Sequence, residues 1–236
     1  MDENKAYRGN KIIDRSALQI IAALTMVIDH FAIVFLQDSG CYEALRIVGR
    51  LSFPIILFLL VEGFMHTRNI GRYMLRIFVC ALVSEVPYSL AMTGKVFSIY
   101  DHNTLWTLLM CLIVLKTFSF ADDRFGGANR NGTASAKKCV AVILATLLSI
   151  ILYLDYSYIA VLLAVLIYIY HGNKRYETLS IVLINMMCGG SQMFGAAAAV
   201  FTAFYNGEKG RIKSGYFFYI FYPAHLLLLW AVHVVL

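Results

Sequence analysis

The sequence predicts an all-α polytopic membrane protein, with about nine transmembrane helices, the N-terminus cytoplasmic and the C-terminus extracytoplasmic. Three observations predict it. Of 236 residues, 60% are hydrophobic and only 14% charged, against about 25% charged in ordinary globular domains, so the charges are too few to cover a soluble surface. The apolar residues fall in blocks near the roughly 20 residues that a helix needs to cross a bilayer core. The Lys and Arg residues gather in alternate connections between the blocks.

The blocks run over residues 17–37, 44–65, 72–92, 103–119, 138–154, 157–171, 177–190, 192–206 and 215–236. The sixth to eighth are short, and such lengths suit tilted, interfacial or re-entrant helices as well as full spans. Lys5, Arg8, Lys11 and Arg15 precede the first block; Arg68 and Arg72 follow the second; Arg124, Arg130, Lys137 and Lys138 follow the fourth. Lys174 and Arg175 follow the sixth, and Lys209, Arg211 and Lys213 the eighth. The intervening connections carry almost no positive charge, so the positive-inside rule sets the stated orientation. It also accounts for the net charge of +6 better than a nucleic-acid footprint does.

The first fifteen residues, MDENKAYRGNKIIDR, are charged. No small-residue cleavage site follows the first apolar run, so no cleavable signal is expected. The chain reads as one integral-membrane domain over 1–236, and the Gly/Asn/Ala-rich stretch at about 120–137 as a flexible cytoplasmic loop. The five cysteines are odd in number and lack metal spacing, so they read as small apolar filler and no metal is expected.

An ionisable group at the bilayer centre costs about 2.5–3.5 kcal/mol or more, so each one needs a reason. Asp29, His30, Arg46, Arg50, Glu85, His102 and Asn103 all fall at one depth, the outer half of the bilayer. Two readings stand: an ion network that fixes helix packing, or a site in which His30 acts as a base tuned near neutrality. His225 lies near mid-depth after Pro223. On the other side Arg68, Arg72 and Arg76 recur every four residues, with Tyr73 beside them. They either snorkel to lipid phosphate or bind the phosphates of a nucleotide-like cofactor.

Several strings carry a resemblance. They are LQIIAALTMVIDHF (18–31), LRIVGRLSFPIILFLLVEGFMHTRNIGRYMLR (45–76), NTLWTLL (103–109), FYNGEKG (204–210) and YFFYIFYPAHLLLL (216–229). Together, in this order and over almost the whole chain, they resemble the TraX family, named after the conjugation-system enzyme that acetylates the N-terminus of F-type pilin. That family looks like part of a broad superfamily of membrane acyltransferases. There a histidine of the first helix is the base, and cytosolic acyl-coenzyme A is the donor. His30 falls at the matching position. The superfamily's arginine eleven residues earlier is Gln19 here, which departs from the pattern.

The resemblance implies acetyl transfer from cytosolic acetyl-CoA to an amine or hydroxyl of an extracytoplasmic acceptor, a pilin-like peptide N-terminus or a glycan. It implies a catalytic group of His30, Asp29, Glu85, Arg50 and His225. His30 would be the base, Arg50 or His225 the oxyanion donor, and Asp29 or Glu85 the group orienting the imidazole. It implies donor contacts from Arg68, Arg72, Tyr73, Arg76 and Arg46. The expected place is the bacterial cytoplasmic membrane, with no nucleic-acid partner. A proton-coupled or small-molecule transporter and a non-catalytic assembly factor for a surface appendage are the competing readings.

Overall fold

A computed structural model describes residues 12–98, 100–125, 131–210 and 216–236. Lys5, Arg8, Lys11, Arg130, Arg211 and Lys213, named above as topology signals, lie outside the described residues. The helices are α1 (Arg15–Phe35), α2 (Tyr42–Gly49), α3 (Ser52–His66), α4 (Ile70–Thr93), α5 (Thr104–Phe125), α6 (Asn131–Ile151), α7 (Ser157–Ile169), α8 (Lys174–Cys188), α9 (Ala198–Ala203) and α10 (Phe217–Val235), with a 3₁₀ turn at Gly190–Ala197 between α8 and α9. Among the described residues there is no strand, only an isolated bridge between Ile13 and Tyr205.

Among the described residues six segments are long and apolar enough to cross a bilayer, as a multi-pass membrane protein requires: α1, the α2–α3 pair, α4, α5, most of α6, and α10. The second block is therefore two helices. The break has a covalent cause: Pro54, in the first turn of α3, has no N–H to donate to the carbonyl of Arg50. Where the sequence suggests a flexible loop at about 120–137, α5 continues to Phe125 and α6 begins at Asn131. An ion pair between Lys138 and Asp122 ties the two helices together.

The segment 174–205 is a hairpin that starts and finishes at one end of the bundle. At its start the Lys174 ammonium lies over the rings of Phe58 and Tyr205, at 4.9 and 5.3 Å. Tyr205 also closes its far end. Its turn reaches the Arg50 break, where a Cβ on Gly195 would lie 3.1 Å from the Arg50 carbonyl oxygen. Two of the short blocks are thus the arms of this hairpin, the second of them part 3₁₀ turn and part short α-helix.

Local chemistry fixes the ends of the elements. The Asp14 carboxylate accepts from the Ala17 N–H at 2.8 Å and caps α1. The Asn69 side chain accepts from Arg72 N–H at 2.9 Å and caps α4. Residues 204–210, the FYNGEKG string, run back across the start of α1. Ile13 N–H donates to Phe204 O, Asn206 N–H to Ile13 O and Arg15 N–H to Glu208 O. Gly207 and Gly210, at φ +83° and +72°, allow that path. This clamp sets Lys209 beside Arg15. In α10, Pro223 removes the N–H due to Tyr219 O, and the Cys80 thiol donates there instead, at 3.5 Å.

The connection before α8 is pinned to α3 by His171, whose Nε2 lies 2.9 Å from Glu62 Oε1. That hydrogen bond to the Glu62 carboxylate raises the proton affinity of His171 above the usual imidazole value, and it outweighs burial and the nearby Lys174. A raised folded-state pKa stabilises fully below the unfolded value of about 6.5 and is lost as pH rises through the folded value. Thermal stability in detergent is therefore expected to fall from pH 6 upward through neutrality, with His171→Gln flattening that dependence. An unchanged slope in the variant would dismiss the pin.

Candidate active site

The polar residues that share one depth in the bundle separate into two groups. Glu85, on α4, accepts from Trp106 Nε1 at 2.9 Å and from Asn103 Nδ2, and it pairs with His102 Nδ1 at 2.8 Å. Asn103 also donates to Ala81 O at 2.9 Å and accepts from Leu105 N–H at 3.1 Å. Both carboxylate oxygens of Glu85 and both polar atoms of the Asn103 amide are used, and none of Glu85, His102 and Asn103 lines the central cavity. The group is the packing anchor between α4 and the start of α5. Glu85 therefore does not orient His30. Sequence gives depth along a helix, and the two groups share a depth but not a direction.

Asp29, His30, Arg46 and Arg50 do come together. They line a cavity of about 440 Å³ that runs through the bundle. At one end it meets Arg15, His66, Arg76 and Lys209; at the other it meets Thr104, Asp155 and Tyr156. Arg15 and His30 are fifteen residues apart on α1, about 22 Å along the axis at 1.5 Å per residue. Gln19 is buried and lines the cavity between them.

His30 Nδ1 lies 2.8 Å from His225 Nε2, with the ring planes 9° apart. His225 Nδ1 lies 3.0 Å from the carbonyl of Phe221, one turn back on α10. A carbonyl only accepts, so His225 carries its proton on Nδ1, and in the neutral ring Nε2 is then an acceptor. His30 must donate to it from Nδ1. This leaves Nε2 of His30 as the unprotonated nitrogen of a ring that lines the cavity. Both nitrogens of His225 are thereby engaged, which takes it out of the oxyanion role expected from the sequence. Phe221 stacks on His225, with centroids 4.8 Å apart, and holds the ring in place.

Asp29 does not face His30. Its Oδ2 accepts from Arg46 Nη1, and its Oδ1 is buried without a hydrogen-bond partner. Gly49 makes this fit possible, because a Cβ there would fall inside the Asp29 carboxylate. Arg50 donates from Nη1 to the Tyr156 hydroxyl at 3.3 Å, while its Nε is buried and unpartnered. Tyr156 takes a left-handed φ of +55°, rare for a bulky residue. It is held there by a 3.6 Å stack on Phe53.

At the basic end Arg76 lies 5.9 Å from the ring centroids of Tyr73, Tyr216 and Tyr219. Tyr73 and Arg76 both line the cavity. Arg68 and Arg72 do not: both are exposed outside it. The four-residue spacing fails for Arg68 because Asn69 caps the helix after it. Arg15, His66 and Lys209 are cavity residues that sequence reasoning did not assign to a site. The strings over 45–76 and 204–210 contain His66 and Lys209, whereas Arg15 lies outside every one of them, and none shows that residues 15 and 209 meet. Among the described residues no group of His, Cys, Asp or Glu is placed to hold a metal.

Removing Arg46 leaves the mostly buried Asp29 charge unpaired, which is expected to cost on the order of 3 kcal/mol. Gly49→Ala should cost about 1–3 kcal/mol by overpacking the same spot. Thermal unfolding in detergent checks both. The double variant Asp29→Asn/Arg46→Gln should recover part of the Arg46→Ala loss, and a double variant no better than Arg46→Ala would dismiss the pair as the cause.

Comparison with known proteins agrees with the strings noted in the sequence. Residues 14–233 match the TraX protein family. The chain is similar to the "Probable fimbrial assembly protein FimC, serogroup H1" of Dichelobacter nodosus, with 30% identity over 245 aligned positions, covering 92% of this chain and 95% of that protein. No solved structure matches. With nearly its whole length matched, this multi-pass membrane protein belongs to the TraX family.

Proposed function

We propose that this protein is an acetyl-CoA-dependent acyltransferase of the bacterial cytoplasmic membrane. It moves an acetyl group from the cytosolic side to an amine or hydroxyl of a pilin-like peptide or glycan outside. The observation that carries this reading is the single cavity with a basic mouth at one end and the unprotonated His30 Nε2 along its wall. Family membership, together with the fimbrial assembly name borne by a relative, supports a pilin-related role.

The donor's phosphates suit the Arg15, Arg76 and Lys209 end, where charge-assisted hydrogen bonds are available. The pantetheine arm lies along Gln19 and the apolar wall of Leu59, Leu60 and Ile77, which brings the thioester toward His30. His30 Nε2 takes the proton of the acceptor N–H or O–H as that atom attacks the thioester carbonyl. The unpartnered Arg50 Nε donates to the oxyanion. As the carbon–sulfur bond breaks, the His30 imidazolium returns the proton to the departing thiolate. Protons and electrons then balance, and the products are the acetylated acceptor and free coenzyme A. His225 accepts from His30 Nδ1 throughout, so it keeps the correct nitrogen facing the substrate and steadies the imidazolium.

The relative's name also favours a second reading, a non-catalytic assembly factor. It predicts that His30→Ala keeps function.

Calorimetry with acetyl-CoA on detergent-purified protein separates these readings. Wild type should bind. Arg15→Ala and Arg76→Ala should each weaken binding about tenfold or more, the worth of a hydrogen bond to a charged group. Arg72→Ala should bind like wild type. His30→Ala should bind yet release no thiol when peptide or glycan acceptors are added. Absence of binding by folded wild type would overturn the acyltransferase reading.

A further inference from the structure

A second depression lies on the outer face, between the end of α1, the end of α4 and His233 of α10. Two residues line both it and the central cavity, Ile33 and Met92. Ile33 sits one turn beyond His30 on α1, and Met92 one turn beyond the cavity-lining Tyr88 on α4. The two spaces therefore abut within about 5 Å of His30 along the α1 axis, three residues at 1.5 Å each. Helices α1 and α4 touch each other only sparingly. Of the pair that separates the spaces, Met92 is an unbranched thioether side chain that repacks at little cost.

The groove's chemistry selects an occupant. The residues lining it include no Lys or Arg, and their one formal charge is Asp38. Two helix C-termini open onto it, at Phe35 and Thr93, and each contributes partial negative charge. The α4 end turns away through Gly94 at φ +69°, a residue with no side chain of its own to lay across it. The central cavity, by contrast, is lined by Arg46 and Arg50 on its outer side, and these repel a cation.

Resting on the acyl-transfer reading above, we infer that the acceptor reaches His30 laterally, through the α1–α4 seam between Ile33 and Met92. It arrives as an extended chain whose reactive end is a protonated amine. The groove takes the ammonium, which gives up one proton to the water outside. The neutral amine then passes between Ile33 and Met92, shedding its water, and reaches His30 Nε2, which takes the second proton as the nitrogen attacks the thioester and hands it to the departing thiolate. Donor and acceptor thus meet at His30 by separate routes.

The test uses Met92→Cys in a Cys41→Ser parent, since Cys41 is exposed. Intact cells are treated with membrane-impermeant methanethiosulfonates, one carrying a trimethylammonium group and one a sulfonate. Met92→Cys should be modified from outside, at least about tenfold faster by the cation, as expected for steering by a groove of one sign. Asp38→Asn should shrink that preference. Ile33→Cys is the second variant and should behave alike. The route is overturned if neither cysteine reacts in cells while both react in detergent, or if the two reagents react at equal rates. Acetyl-CoA binding by the parent keeps the two ideas apart. Binding without labelling overturns the lateral route and leaves acyl transfer standing. Labelling without binding overturns acyl transfer and keeps the seam as a passage for cations.

Discussion

The ion pair between Asp29 and Arg46 is the constraint on which the rest of the structure depends. Two opposite charges at membrane depth are tolerable only in contact, and contact requires α1 and α2 to approach until no side chain fits between them. Gly49 supplies that approach, since any Cβ would occupy the carboxylate's place. With α2 held in this way, the break that follows it is placed as well. The Arg50 side chain reaches the cavity because the helix restarts at Ser52, and it restarts there because Pro54 cannot donate to the Arg50 carbonyl.

The hairpin of residues 174–205 answers a problem that this break creates. A buried carbonyl without its helical donor needs close, polar company. Gly195 brings the hairpin's turn against it, with the Asn185–Gln192 pair, hydrogen-bonded at 2.8 Å, immediately beside. A short, partly 3₁₀ segment suits that place better than a regular span does, because its backbone comes close to the break and then returns. The same chain then clamps the start of α1 and leaves Lys209 next to Arg15. One excursion thereby shapes both the Arg50 break and the basic mouth.

How much of this was legible follows from what each signal encodes. Hydropathy and length marked the long helices, and they also marked the short blocks as unlike the others. The cost of charge in the membrane singled out Asp29, His30, Arg46 and Arg50, which do meet. The same argument drew in Glu85, because depth is readable from residue count whereas the direction a side chain faces depends on how neighbouring helices are rotated. Spacing by four put Arg68 and Arg72 with Arg76, but the helix starts only after Asn69, and of the three only Arg76 borders the cavity. The meeting of Arg15 with Lys209 joins residues 194 apart in sequence, and no local pattern encodes it.

The pairing of His30 with His225 shows why a histidine pair suits this depth where a histidine–carboxylate pair does not. A carboxylate beside His30 would bring a permanent charge to a place already holding Asp29, Arg46 and Arg50. A second neutral imidazole, its own tautomer set by the Phe221 carbonyl, fixes which nitrogen of His30 is free without adding net charge. The device is wholly local on the α10 side, a ring and a carbonyl one turn apart, braced by the stacked rings of Phe217, Phe221 and His225. It holds only while α1 and α10 keep their spacing. That spacing is maintained beyond His30 by Phe35 against His233, while the Cys80 thiol, seated on the carbonyl that Pro223 leaves open, ties α10 to α4. The basic nitrogen of His30 is therefore set by two prolines and two ion-free contacts as much as by the histidines themselves: Pro54 places the arginine opposite it, and Pro223 fastens the helix that bears its partner.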